Sequence, residues 1–331
     1  MLSLEDLVAE ADAASEGEVG HTTIVSLCAP PIGTSGGKQS RRVAHRAYAH
    51  THFCPATRQN MARYAACHGY GTRYLDRSLN SSRAVMWHKI PLLLSVIRQA
   101  AVAFVFWHDA DSLFARLDTS LDALLPNPAQ HLTISGDRSC WLNSGHMMLR
   151  AEGWAAWLLR SAWEVYPPPE PQGWAEQSAL IYLLQGRIPE CRERVHPSKR
   201  CCGAVAASGA GLPPELSLRA QRAMNEYLLV RRHVAANLSL EALVVHFPGG
   251  STGAVPKEVS IRRWAEWVRR RWDEDPRKYS RTAMLGDTAR LLCQHSHSIG
   301  QPALSAEQDE EYTAQRPARG HARHSAVGDI R

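Results

Sequence analysis

A chain of 331 residues, 44% hydrophobic and 21% charged, carries enough apolar content to bury a sizeable core, which excludes fibrous and wholly disordered classes. The formal charge of +6 and a pI near 9.0 favour anionic partners, yet many of the arginines fall in Arg262–Arg271 and the C-terminal tail rather than in a nucleic-acid module. No apolar run approaches the roughly 18 residues that a membrane span requires, and Met1–Glu18 is acidic, unlike a secretory signal with its basic start and apolar middle.

Thr22–Cys28, rich in β-branched residues, reads as the first buried strand, followed by a Pro/Gly-rich loop from Pro30 to Gly37. Helical spacing then predicts a helix over Pro55–His68 that Gly69 closes, a short strand Thr72–Leu75, a helix Trp87–Gln99 and an apolar strand Ala101–Trp107. Leu113–Leu125 reads as a short helix ended by Pro126, His131–Ser135 as a strand, and Trp141–Arg150 as a turn then a strand. Helices are expected over Glu152–Glu164, Trp174–Leu184, Leu216–Arg231 and Val259–Trp272, with a last strand Ala242–His246 and a rigid loop Pro167–Pro171. Ala204–Gly211 is a low-complexity loop. This alternation of strand and helix predicts an α/β fold whose sheet has parallel neighbours at its centre. The organisation expected is an N-terminal segment 1–20, a single domain 21–275 with halves 21–135 and 136–275, and a disordered tail 295–331.

The richest stretch is Phe104-Val105-Phe106-Trp107-His108-Asp109-Ala110-Asp111, an apolar strand that ends in two carboxylates one residue apart. Open α/β sheets bind ligands at the carboxyl ends of their strands, and carboxylate oxygens suit hard divalent ions that keep open positions for a diphosphate. Solvated loop acids are the plain alternative. The eight cysteines include no C-x-x-C pair, so a structural zinc site is not expected, and they leave the compartment open. Two glycosylation sequons, at Asn80 and Asn237, are permissive only.

Several segments, in order, resemble glycosyltransferase family 34. They are Arg63-Tyr64-Ala65 with His68-Gly69-Tyr70, Trp87-His88-Lys89-Ile90-Pro91, Trp107-His108-Asp109-Ala110-Asp111 and Leu142-Asn143-Ser144-Gly145. Glu176-Gln177-Ser178-Ala179-Leu180, Met224-Asn225-Glu226-Tyr227 and Val245-His246-Phe247-Pro248-Gly249 complete the series. The resemblance implies an α/β fold of GT-A type, with a central mixed, mainly parallel sheet flanked by helices, Mn²⁺ (or Mg²⁺), and transfer of a sugar from a UDP-sugar, galactose or xylose, to a glycan or oligosaccharide acceptor with retention of configuration. It also implies the Golgi lumen, although the sequence shows no signal or anchor; the cytoplasm is the alternative. A homodimer is kept open.

On that resemblance Asp109, Asp111 and His246 are the metal ligands. Lys89, Asp109, Asp111 and Gly145 are expected at the donor, Lys89 as a point charge for phosphate or nucleotide and Gly145 as a close backbone approach. Glu176 is the acid facing the anomeric carbon, where the family usually has aspartate, with Gln177 holding it and Asn143 bonding sugar hydroxyls. His68-Gly69-Tyr70 reads as the end of a helix, with Tyr70 and Arg63 bordering the nucleotide pocket as the alternative, and at most one of Trp154, Trp157, Trp163 and Trp174 belongs to the acceptor. Asn225 reads as a structural amide. The family commonly shows Ala-Gly-Cys-Lys after His-Phe, whereas this chain has Pro248-Gly249-Gly250-Ser251, so Lys257 or Arg262 is expected to supply the missing cation. Competing readings are a metal-dependent phosphoesterase on the same Asp109, Asp111 and His246, an inactive carbohydrate-binding or scaffold protein, and, last, a nucleic-acid binder.

Overall fold

A computed structural model describes residues 2–29, 39–124, 127–137, 142–167, 174–186, 212–219, 224, 226–227, 242–247 and 257–274. Residues 1–294 form one compact unit, while the second unit, 295–331, lies outside the described residues together with the expected disordered tail and the Ala204–Gly211 loop.

The chain opens with a helix, α1 (Leu4–Ala14), where the sequence suggested no element. Ser3 and Asp6 form a capping box, the Ser3 hydroxyl accepting from the Asp6 N–H and the Asp6 carboxylate from the Ser3 N–H. That satisfies the first-turn donors, and Leu7, Val8 and Ala11 pack into the core. Helix α1 is thereby packed into the folded body.

Strand β1 (Thr22–Leu27) lies between β2 (Gly71–Leu75) and β3 (Phe104–His108), parallel to both. Beyond β3 come β6 (Leu142–Arg150) and β5 (Leu132–Gly136), both across antiparallel pairings, then β7 (Leu216–Arg219), parallel to β5. The six-stranded sheet is mixed, with parallel pairs in the majority, as the GT-A resemblance implied. Its strands are buried on both sides and so read as continuous apolar runs. One face is covered by α1, α3 (Lys89–Ile97), α4 (Gly153–Glu164) and α5 (Glu176–Gln185), around Leu92, Leu94, Val105 and Leu158. The other is covered by α2 (Gln39–His68), a small sheet and α6 (Lys257–Glu274), around Ile24, Phe106, Phe114 and Trp264.

The small sheet holds β4 (Ser112–Phe114), β9 (Val244–His246) and β8 (Glu226–Tyr227), with β4 and β9 antiparallel. Its strand β4 falls where a helix was expected from Leu113. Ser112–Phe114 is extended because the backbone after Asp111 finds a partner in β9, a pairing that local spacing cannot reveal. Likewise Leu216 starts β7 against β5, not a helix running to Arg231. Helix α2 begins at Gln39, earlier than the Pro55 start that the sequence predicts, and runs through Pro55. In α6, Ile261, Trp264, Val268 and Trp272 are buried at helical spacing, while Arg269 and Arg270 pair with Glu266 on the same helix. Its basic face is therefore an ion-paired outer surface of a packing helix.

Candidate active site

The end of β3 is where the sheet delivers its chemistry. Asp109 and Asp111 follow the strand directly, and β6 runs back beside it in antiparallel register, His108 opposite His146. The start of β6, Asn143-Ser144-Gly145, thus lies against the acids, and the Asp109 N–H donates to the Gly145 carbonyl at 3.0 Å. On the other side β4 pairs with β9 so that Ser112 faces His246, and the Phe247 N–H donates to the Asp111 carbonyl at 3.0 Å. Two strand pairings therefore bring residues about 135 positions apart into one cluster.

In that cluster the ligand atoms of Asp109, Asp111 and His246 all lie within 4.8 Å of one another. His246 Nε2 is 3.1 Å from Asp111 Oδ1 and 3.8 Å from Asp109 Oδ2. Donors on an octahedral ion at the usual 2.0–2.2 Å stand roughly 3 Å apart in adjacent positions, so the His246–Asp111 spacing already suits one divalent cation and Asp109 lies close enough to join it by a side-chain rotation. Two carboxylates with an imidazole are a donor set suited to Mn²⁺. Trp107 Nε1–H donates to Asp109 Oδ1 at 2.6 Å and orients that carboxylate from behind. His108 faces the opposite way, stacked on Phe114, and burial pushes its pKa down to about 3, so it stays neutral in the core.

Gly145 is at the centre of the cluster for a steric reason. A Cβ built there would stand 2.7 Å from Asn143 Oδ1, 2.8 Å from His246 Cε1 and 3.0 Å from Asp109 Oδ2. Only glycine lets the three side chains converge.

Lys89 is not a surface lysine. It is buried at the start of α3, where its ammonium donates to Glu176 Oε1 at 2.7 Å, to the Ser144 carbonyl at 3.0 Å and to Ser144 Oγ at 3.3 Å, and lies 3.5 Å from Asp109 Oδ1. Burial alone would lower its pKa, but the charges of Asp109 and Glu176 outweigh that and raise it. The sequence suggested a phosphate or nucleotide contact for Lys89; the structure gives it two carboxylates, linking the candidate metal site to Glu176. Ser144, to which no role was given, connects the two: its hydroxyl donates to Glu176 Oε1 at 3.0 Å and its N–H to Gln177 Oε1 at 2.9 Å. The motif Asn143-Ser144-Gly145 was the only signal for it. Asn143 in turn accepts from the Gly145 N–H at 2.8 Å and donates to Asp137 at 3.0 Å.

Glu176 and Gln177 open α5 straight after Ala175, which has φ 50° and ψ −124°. That left-handed conformation is costly for a residue with a Cβ and is characteristic of positions held for function. Lys257, the first residue of α6, reaches Asp111 Oδ2 with its ammonium, while Arg262 lies further along the same helix. Burial opposes ionisation of Asp111, yet the charges of Lys257 and His246 and their hydrogen bonds hold it well below the usual carboxylate range. Pro248–Ser251 and Asn225 lie outside the described residues.

Other expected contacts are occupied elsewhere. Arg63 pairs with Asp273 at 2.7 Å, packing α2 against α6, and the Tyr70 hydroxyl bonds to Ser120. Trp163 is buried beneath the Arg83 guanidinium, 3.7 Å from its ring centroid, whereas Trp157 and Trp174 are exposed. Trp174 is the one beside the site, its carbonyl accepting the Gln177 N–H at 3.0 Å.

Residues 39–135 match the sequence profile of the galactosyl transferase GMA12/MNN10 family, the group the motif series resembled. Over those residues the chain resembles that family of glycosyltransferases. Among solved structures it is similar to a glycosyltransferase involved in glycosylation of the major capsid of PBCV-1, at 14% identity and a TM-score of 0.47, over 74% of this chain and 98% of that one. It is also similar to the glycosyltransferase GlyE of Streptococcus pneumoniae TIGR4, at 10% identity and a TM-score of 0.42, over 78% of this chain and 64% of that one. A third is the galactosyltransferase LgtC in complex with donor and acceptor sugar analogs, at 13% identity and a TM-score of 0.40, over 76% and 99%. No curated protein matches the sequence. Among the described residues, no helix is long and apolar enough to cross a membrane.

Proposed function

We propose that this family 34 chain is a metal-dependent retaining transferase of GT-A type that moves galactose or xylose from a UDP-sugar to a glycan acceptor. The observation that carries the reading is the convergence of Asp109, Asp111 and His246 within 4.8 Å beside the Lys89–Glu176 pair. In the reaction the C1–O bond to the diphosphate breaks, a bond from the acceptor hydroxyl oxygen to C1 forms, and the hydroxyl proton leaves with the diphosphate. Asp109, Asp111 and His246 would hold Mn²⁺, which when bound neutralises charge growing on the departing diphosphate. Glu176, fixed by Lys89 and Ser144, stabilises positive charge at the anomeric carbon. Gln177 and Asn143, themselves anchored through Ser144 and Asp137, orient the sugar and acceptor hydroxyls. Gly145 admits the donor close to the backbone, and Trp174 offers an exposed ring for the acceptor.

A luminal secretory compartment, the Golgi, suits both the family and the Cys28–Cys54 disulfide, whose Cα atoms are 6.0 Å apart. Calorimetric titration with UDP, with and without Mn²⁺, tests the reading. Binding should require Mn²⁺ and vanish in Asp111→Asn, and a panel of UDP-sugars should then show slow donor hydrolysis for one or two sugars. UDP binding that ignores both the ion and the substitution would defeat the proposal.

A further inference from the structure

We propose that Lys257 is a built-in rival of the divalent cation: it holds Asp111 until the cation arrives and then passes to the donor diphosphate, coupling cation and nucleotide binding. The inference rests on the metal and UDP-sugar reading above and adds how the site is loaded. Asp111 divides its two oxygens between two partners, Oδ1 facing His246 Nε2 at 3.1 Å and Oδ2 taking the Lys257 ammonium. An ammonium carries three donors and no lone pair, so Lys257 cannot join the ligand set; it can only compete for the carboxylate that the set needs. A single and a double positive charge sharing one carboxylate repel, so each weakens the other's hold on Asp111.

The lysine has somewhere to go. It is the first residue of α6, which is anchored through buried Ile261, Trp264, Val268 and Trp272, so its main chain stays put while the four-carbon stem swings. Its side chain retains 21% exposure and that of Asp111 20%, which places the pair at the mouth of the site rather than in the core. Diphosphate oxygens bound at the same cation would lie within reach of that stem and are a strong acceptor for a mobile point charge. This chain has Pro248-Gly249-Gly250-Ser251 where the resemblance led us to expect a loop lysine, so a cation arriving from α6 fills a need specific to this sequence. Because linkage is reciprocal, a cation that displaces Lys257 from Asp111 raises affinity for UDP, and UDP raises affinity for the cation by the same factor.

The experiment is a set of calorimetric titrations of Mn²⁺ alone, UDP alone, and each at saturation of the other, on wild type, Lys257→Gln and Lys257→Arg. Thermal melts establish that each variant is folded. Lys257→Gln should bind Mn²⁺ alone about tenfold more tightly than wild type, because the rival is gone, and the Mn²⁺–UDP coupling factor should drop by about tenfold. Lys257→Arg should keep the coupling. If Lys257→Gln binds Mn²⁺ no more tightly than wild type, or keeps the full coupling, the competition is refuted while the metal site stands. If wild type binds no Mn²⁺ with or without UDP, the metal reading itself is refuted and this inference with it.

Discussion

Replacing Lys89 with methionine keeps the stem volume and removes the charge that two carboxylates share. In the wild type the ammonium is 2.7 Å from Glu176 and 3.5 Å from Asp109, and the Glu176 side chain is only 5% exposed. Breaking a buried ion pair from one side costs about 3–5 kcal/mol, because the carboxylate left behind is neither paired nor hydrated. Against a total stability of about 5–15 kcal/mol, this is a large fraction. Glu176→Gln alone should cost about 1–3 kcal/mol, since Lys89 keeps Asp109 and Ser144. The double variant removes both charges and should fall short of the sum of the singles by about 2–3 kcal/mol. Urea unfolding of the four proteins gives these numbers. The pKa of Lys89 is raised in the folded state, so its stabilisation is fully present below the unfolded value of 10.5 and is lost as pH rises through the folded value. The alkaline loss of stability should therefore be shallower in Lys89→Met. Costs that add to within about 0.5 kcal/mol in the double variant would mean that the pair does not hold Glu176 in place, and the role given to Lys89 would fall.

Gly145→Ala should lower Mn²⁺ affinity by about 10–100-fold, because the new methyl pushes on Asn143, His246 and Asp109 together; calorimetry with a urea melt separates this from unfolding. His108, pushed down to about 3 from 6.5 by burial, must gain a proton on unfolding at mildly acid pH. Its contribution is thus complete above pH 6.5 and disappears as pH falls toward 3, and His108→Phe should flatten that acid limb by a few kcal/mol, measured as urea midpoints against pH. The Cys28–Cys54 bond closes a segment with a sequence separation of 26 residues; Cys54→Ser or a reductant should cost about 3 kcal/mol, and non-reducing peptide mapping should recover the two cysteines joined. Free thiols at both positions in protein from an oxidising compartment would refute the bond.

Local chemistry made much of this protein legible in advance. The α/β class, strands near Thr22, Thr72, Phe104, Leu132 and Leu142, and helices near Lys89, Gly153 and Lys257 follow from apolar periodicity, since a residue's burial repeats with the geometry of its own element. The acids at the end of β3 were visible for the same reason: an abrupt change from apolar strand to carboxylates is a one-dimensional signal. The helices expected at Leu113 and Leu216 were not, because β4 and β7 owe their extended form to partners far along the chain, His246 and its neighbours in one case and Leu132–Ser135 in the other. Residues 1–20 looked inert because a helix of 11 residues is marginal until it packs, and what α1 packs on is α3, some 80 residues away.

Sequence by itself determined which residue types were available: two acids, a histidine near a strand end, a buried-helix lysine and a glutamate before Ser-Ala-Leu. Only the tertiary structure decided their partners. Whether Lys89 meets phosphate or Glu176, and whether Lys257 or Arg262 meets Asp111, depends on distances set by strand register and helix packing, and Coulomb interactions change steeply over those few ångströms. Side-chain type is a property of the chain, whereas the charge a side chain faces is a property of the fold.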